Sequence, residues 1–216
     1  MVRCNTLIRI NHHQPWSIPP RTPRNAKTTF GWFFIDLCET VAMNIDEYRI
    51  ATVKDVSGLV SLINNSYRPN GAEAGWTHES ELIEGDRINS QQLSDLLDRD
   101  RSTMLLGLNK GEIVACVTIN EEAGAIYLAM LTVKTACQNF GLGKEMLQLA
   151  EEYAENQYEA SAVNLFVISE RKELFDFYLR RGYESMEITS DYPENAGVGI
   201  PKISGLKLVL LTKQLG

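Results

Sequence analysis

The alternation of hydrophobic and polar positions becomes regular at Met43 and stays so to the end of the chain. Residues 48–53 alternate like a half-buried strand. Asp55 stands where a helix N-cap belongs, and Val56, Leu59, Val60, Leu62 and Ile63 follow at helical spacing. That helix ends near Asn64 and Asn65, and residues 68–71, with Pro69 and Gly71, read as a loop. Within residues 75–87, Thr77 with Ser80 or Glu81 can cap a short helix that Gly85 interrupts. A second helix is expected over 90–97, with Leu93, Leu96 and Leu97 on one face. Three strands follow, at 103–108, 112–120 and 125–133, joined by a hairpin turn at Asn109, Lys110 and Gly111 and by a second turn at 121–124. A helix after Gly143 turns Met146, Leu147, Ala150, Tyr153 and Ala154 inward and Glu151, Glu152 and Glu155 outward. Residues 163–168 are nearly all apolar, as expected of a strand covered on both faces. The helix over 172–181 stops at Gly182, which suits a left-handed C-cap, and Arg180 and Arg181 favour the dipole of its last turn. A strand over 206–212 closes the chain, with room for a short one near 184–189. The order β-α-α-β-β-β-α-β-α-β predicts a mixed α/β sheet.

Residues 1–42 differ from the rest. They hold five basic residues, two acidic ones and four of the seven prolines, with no sustained periodicity. They read as an atypical N-terminal extension before a single domain over 43–216. Three readings stand side by side: an upstream start codon with the natural start at Met43, a disordered tail that docks its aromatic residues, or an organelle transit peptide. No function is assigned to this segment.

Composition narrows the function classes. With 44% hydrophobic and 23% charged residues over 216 positions, the chain is long enough to bury a sizeable core. No run of about 18 apolar residues is present, which argues against a membrane span. A net charge of −7 argues against nonspecific nucleic-acid binding, which depends on Lys and Arg. The cysteines, at 4, 38, 116 and 137, are far apart and no histidine has metal-site spacing. Reduced thiols in a reducing compartment, the cytoplasm, and no metal are therefore expected.

The chemistry concentrates after residue 133. A strand ending at Val133 leads into a loop with Gln138, Gly141 and Gly143, and a helix starts at once. Glycines opening into a helix leave backbone N–H groups pointing outward, an anion site. A Walker loop needs Gly-Lys-Ser/Thr, and here Lys144 is followed by Glu145. A dinucleotide fingerprint needs a third glycine where Met146 stands. The pattern present is Q-x-x-G-x-G over 138–143, and a later Y-x-x-x-G-Y places Tyr178, Gly182 and Tyr183.

Together these motifs resemble the GNAT (general N-acetyltransferase) superfamily, over about residues 48–215. The resemblance implies a mixed, mostly antiparallel central sheet with flanking helices and a splayed pair formed by the fourth and fifth strands. It implies acetyl-CoA as co-substrate, bound with the help of Gln138, with the pyrophosphate on the N–H groups of Asn139, Phe140, Gly141, Leu142, Gly143 and Lys144, and the pantetheine arm along Leu131, Thr132 and Val133. A backbone N–H near Leu131 would polarise the thioester carbonyl. Ser169 stands where many relatives carry an Asn that meets the coenzyme. The reaction would be direct attack of a primary amine on the thioester, with Tyr178 as the acid and Glu121 or Glu122 as the base; Glu79, Glu81 or a water chain are equally open for that role.

The acceptor is expected against the segment between the first two helices and the segment after Asp191. Trp76, Glu79, Arg87 and Asp191 are its candidate contacts. A small-molecule amine is the first expectation; a protein N-terminus or lysine, or a non-catalytic acyl-CoA sensor, are the alternatives. An acidic lining would suit a polyamine, whereas Arg87 would hold a carboxylate. Association of two copies through the last strands, common in such sheets, is left open by the exposed ends.

Overall fold

The structure, a computed structural model, describes residues 43–69 and 75–216. The extension over 1–42 and the part of the expected loop at residues 70 and 71 lie outside the described residues. The elements are β1 (Glu47–Ile50), α1 (Val56–Tyr67), β2 (Ile83–Glu84), α2 (Ser90–Leu97), β3 (Ser102–Asn109), β4 (Glu112–Glu122), β5 (Ala125–Val133), α3 (Leu142–Tyr158), β6 (Ala162–Ile168), α4 (Lys172–Leu179), β7 (Glu184–Asp191), β8 (Ile200–Pro201) and β9 (Lys207–Gln214). Seven strands form one sheet in the order β1-β3-β4-β5-β6-β9-β7, and β2 pairs with β8. Every neighbouring pair in the large sheet is antiparallel except β5 and β6. The expected architecture, a mixed and mostly antiparallel sheet with a splayed central pair, is thus found.

Helices cover both faces of the sheet. Leu59 and Ile63 of α1 and Leu93 of α2 pack with Met104, Leu106 and Leu108 of β3 in one cluster. The other face of β3 meets α3: a Cβ on Gly107 would lie 2.6 Å from Ile45 and 3.0 Å from the Met146 sulfur. Alternation along one strand therefore feeds two cores, as the period of two demands.

Two features of β5 shape the site. The ladder to β4 runs from Thr118 opposite Ala129 to Cys116 opposite Thr132, so Met130 and Leu131 together face Val117. This is a β-bulge, and Met130 takes φ 48°, left-handed for a residue with a Cβ. The Met130 carbonyl is satisfied by the Thr132 hydroxyl at 2.9 Å and the Cys116 thiol at 3.8 Å. On the other side, β5 and β6 are in register only at Tyr127 and Asn164. Beyond that pair they part.

The structure corrects three local expectations. No helix forms over residues 77–84; Ile83 and Glu84 pair with β8 instead, and Glu79 is drawn inward by Arg68. Asp55 precedes α1 without capping it by its side chain. Its carboxylate accepts from the Thr52 N–H and pairs with Arg49, which holds its pKa down at about 2. Glu151, expected outside, is buried: it accepts from the Tyr183 hydroxyl at 2.9 Å and the Lys213 ammonium at 2.6 Å. A helical-period count cannot see that these two partners come back across α3.

This last network ties α3 to the start of β7 and to β9. Tyr183→Phe removes a hydrogen bond to a buried carboxylate and is expected to cost about 1.5–3 kcal/mol in urea unfolding; a change below about 0.5 kcal/mol would show the bond to be dispensable.

Candidate active site

Two clefts open on either side of the parted strands. The first, about 440 Å³, is lined by Val133, the 137–144 loop and helix start, Trp76, and Phe177, Arg180 and Arg181 around the end of α4. The second, about 430 Å³, is lined by Asn120 and Glu122 of β4, Tyr127 and Met130 of β5, Phe166 and Ile168 of β6, and Glu79, Arg87, Arg171 and Tyr192. Tyr67, Leu131, Leu174 and Tyr178 line both. The bulge residue Leu131 therefore stands where the two clefts meet.

The first cleft is built to hold an anion. Gly141 precedes α3 at φ 88° and caps it with no side chain. Asn139 also has positive φ, 68°. The N–H groups of residues 139–143 donate to no acceptor among the described residues; the first bonds into the helix come from Lys144 and Glu145 to the Gly141 carbonyl. A row of outward N–H groups at the positive end of a 17-residue helix is an anion-binding nest. Lys144, Arg180 and Arg181 add positive charge at its rim. Arg181 stacks on the Phe177 ring at 3.3 Å from its centroid and donates to the Phe177 carbonyl at 2.5 Å. By their place in the sequence these arginines only favour the dipole of α4; the turn that follows α4 brings them to the loop.

Gln138 has a different part from its neighbours. Its side chain is buried and its amide donates to the Val133 carbonyl at 3.2 Å and the Thr77 hydroxyl at 3.0 Å. Gly75 leaves room for it, since a Cβ there would come within 2.3 Å of the Gln138 oxygen. The side chain thus locks the loop to the end of β5, with the N–H groups left outward.

Leu131, Val133, Gln138, Asn139, Gly141, Leu142, Gly143, Lys144 and Tyr178 come together in this cleft. Thr132 does not reach it: its side chain is buried and serves the bulge. Phe140 is exposed and does not line the cleft. Ser169 is also absent from both linings; its hydroxyl donates to Glu170 at 2.7 Å. Trp76, expected at the acceptor, lines the first cleft and packs on Phe177 at 5.8 Å.

In the second cleft stand Glu79, Arg87 and Glu122, with Tyr178 at its junction with the first. Glu121 and Glu122 separate by strand alternation: Glu122 shares the cleft face with Asn120, and Glu121 pairs with Arg101. Asp191 pairs with Lys207 on the exposed strand β7 and lines neither cleft; its neighbour Tyr192 does. Arg171 and Tyr192 are lining residues that no sequence motif signalled. Burial, the largest cause, raises the Tyr178 pKa above the ordinary phenol value, and raises that of Tyr67 to about 12. Both hydroxyls are therefore held protonated at neutral pH.

Among the described residues no group of His, Cys, Asp and Glu could hold a metal ion, and no helix is long and apolar enough to cross a membrane.

Comparison with known proteins fits this geometry. The family model described as the acetyltransferase (GNAT) family matches residues 63–183. No curated protein matches the sequence. Among solved structures, a GNAT-family acetyltransferase from Streptococcus pneumoniae is similar with TM-score 0.56 at 20% identity, covering 79% of this chain and 99% of that one. A ribosomal-protein-alanine N-acetyltransferase from Brucella melitensis is similar with TM-score 0.59 at 16% identity, covering 78% and 99%. A PaiA N-acetyltransferase from Thermoplasma acidophilum, in complex with coenzyme A, is similar with TM-score 0.56 at 16% identity, again covering 78% and 98%.

Proposed function

The chain belongs to the GNAT acetyltransferase family, and from that premise we propose that it is an acetyl-CoA-dependent N-acetyltransferase acting on a primary amine of a small molecule. One observation carries the reading: an anion-binding cleft and a second cleft with polar walls meet at Leu131 and Tyr178, in the gap between β5 and β6.

The N–H groups of 139–143 hold the pyrophosphate, with Lys144, Arg180 and Arg181 at the rim. The Val133 carbonyl is already engaged by Ser66 and Gln138. The backbone at Leu131, displaced from the ladder by the bulge, is the part of β5 left for the thioester end. Its N–H serves as the donor to the thioester oxygen as negative charge builds there.

Direct transfer suits the thiols present. Cys137 lines the coenzyme cleft, and burial raises its pKa, which keeps it a thiol. Cys116 is fully buried, its pKa pushed up to about 12 by burial. Neither is a ready nucleophile for an acyl-enzyme. Tyr178 gives its proton to the departing thiolate. The acceptor ammonium gives its proton to water in the cleft: Glu122 pairs with Ala125, about 20 Å along the strand from Leu131 at ~3.3 Å per residue, too far to take that proton directly. Tyr192, Pro193 and Val198 form part of the wall of the acceptor cleft, whose volume of about 430 Å³ suits a small molecule. Glu79, also in this cleft, is engaged by Arg68 and is a partner in binding rather than a free base.

Gly143→Asp tests the donor site. A Cβ at 143 meets only ordinary contacts, 3.7 Å from Val133 and 3.8 Å from Phe177, so the fold is retained while a carboxylate enters the nest. Acetyl-CoA affinity by calorimetry is expected to fall roughly 10- to 100-fold; unchanged affinity would overturn the assignment.

For Tyr178→Phe, kcat in a thiol-release assay is expected to fall roughly 100-fold or more, with a much smaller change in KM for acetyl-CoA. The raised pKa keeps the acid protonated below it, so the wild-type rate should show no alkaline loss up to about pH 10, the ordinary phenol value. A phenylalanine variant with the wild-type rate across that range would refute the role.

A further inference from the structure

We infer that the acceptor cleft contains a carboxylate subsite formed by Arg171 and Arg87, so that the amine acetylated here belongs to a molecule that also carries a carboxylate, of the amino-acid class. This rests on the transferase reading above and narrows its substrate.

Arg171 is the key observation. It precedes α4, is 7% exposed, and lines the acceptor cleft. Its guanidinium donates no hydrogen bond to any described residue. The nearest opposite charge is one oxygen of Glu79 at 3.8 Å, beyond hydrogen-bond length. The other Glu79 oxygen is taken by Arg68. A guanidinium carries five donors, and buried charges are ordinarily both paired and hydrogen-bonded. A guanidinium in a cavity wall, ion-paired with Glu79 but without a hydrogen bond, calls for an acceptor that enters the cavity.

Arg87 stands on the same side. It lies 5.7 Å over the Tyr67 ring, and its side chain has no hydrogen bond or ion pair among the described residues. Arg68 and Arg171 pair with the one Glu79 carboxylate, and Arg87 adds a third guanidinium over the Tyr67 ring. Around Tyr67 the surplus is positive, with the other lining carboxylate, Glu122, toward the far end of the cleft. It sits at the end of the cleft near Leu131, since Tyr67 both carries Arg87 on its ring and donates to the Leu131 carbonyl at 3.4 Å.

That charge decides between acceptor types. A polyamine would bring further cations against guanidinium groups that cannot deprotonate. A carboxylate matches the planar fork of Arg171 and can bridge to Arg87. The same positive surroundings favour the neutral form of an amine held next to the carboxylate, which is the form that attacks. At about 430 Å³ the cleft falls in the range of small-molecule sites.

The test uses the full chain and matched sets of amines: an amino acid, its carboxamide and its decarboxylated counterpart. Thiol release from acetyl-CoA is measured for each, and binding of each is measured by calorimetry with coenzyme A present. The acid is expected to be favoured roughly 10- to 100-fold in kcat/KM over both neutral partners. Arg171→Gln should collapse that ratio through KM, with partial rescue in Arg171→Lys. Because Arg171 is buried beside Glu79, Arg87→Gln provides a variant less exposed to unfolding, and it should shrink the ratio in the same direction. Equal turnover and binding of acid, amide and decarboxylated amine would overturn the carboxylate subsite and leave the transferase standing. Binding of the acids alone, with no thiol released, would support the subsite and overturn the transferase reading.

Discussion

One extra residue in a strand governs this site. Between Ala129 and Thr132, β5 spends two residues where β4 spends one, and Met130 adopts a left-handed backbone to do so. For a residue with a Cβ this costs about 1–2 kcal/mol. The carbonyl it displaces is caught by Thr132 and Cys116, so no buried acceptor is orphaned. The return on this strain is a bent strand that leaves its parallel neighbour after a single pair, Tyr127 with Asn164. Everything chemical follows from that gap: two clefts that meet, and a backbone segment at Leu131 released from sheet pairing.

Each side of the gap has its own electrostatic logic. On one side backbone dipoles are aimed into the cleft. The residues that position them are apolar or neutral, with Gln138 pinning the loop to Val133 and Gly141 turning the chain into α3. Helix α3 is anchored in turn through Glu151, Tyr183 and Lys213, which couples the nest to the end of α4 where Tyr178 sits. The aromatic contacts of Tyr178 with Phe177 at 5.2 Å and with Tyr183 at 5.5 Å fix its ring. On the other side, side-chain charges dominate, and they belong to elements far apart in sequence: Glu79 before β2, Arg87 before α2, Arg171 before α4.

That division explains what could be read from the sequence. A dipole nest is local: Gly141, Gly143 and the helix that follows are contiguous, so the loop was legible from spacing alone, as were the hairpins of β3, β4 and β5. The second cleft is not local. Arg171 looks like an ordinary charge at a helix start, and only the fold brings it to Glu79. Strand alternation could have separated Glu122 from Glu121, but it required knowing that β4 extends to Glu122 rather than ending at Asn120. Trp76 lines the first cleft and Asp191 neither one, for the same reason: which side of the gap a loop residue faces depends on the long-range pairing of β2 with β8 and of β7 with β9. Glu151 shows the limit of helical periodicity, since a buried carboxylate is marked by its partners and not by its own position.

The central claim is that the two clefts are one continuous site joined at Leu131. A crystal structure with a bisubstrate analogue, in which an amino acid is joined through its nitrogen and an acetyl linker to coenzyme A, tests it most directly. Pyrophosphate is expected on the N–H groups of residues 139–143, the linker in the gap between β5 and β6 beside Leu131 and Tyr178, and the amino-acid portion in the cleft beside Arg171. An analogue whose amino-acid portion lies outside that cleft, or whose linker does not pass Leu131, would contradict it.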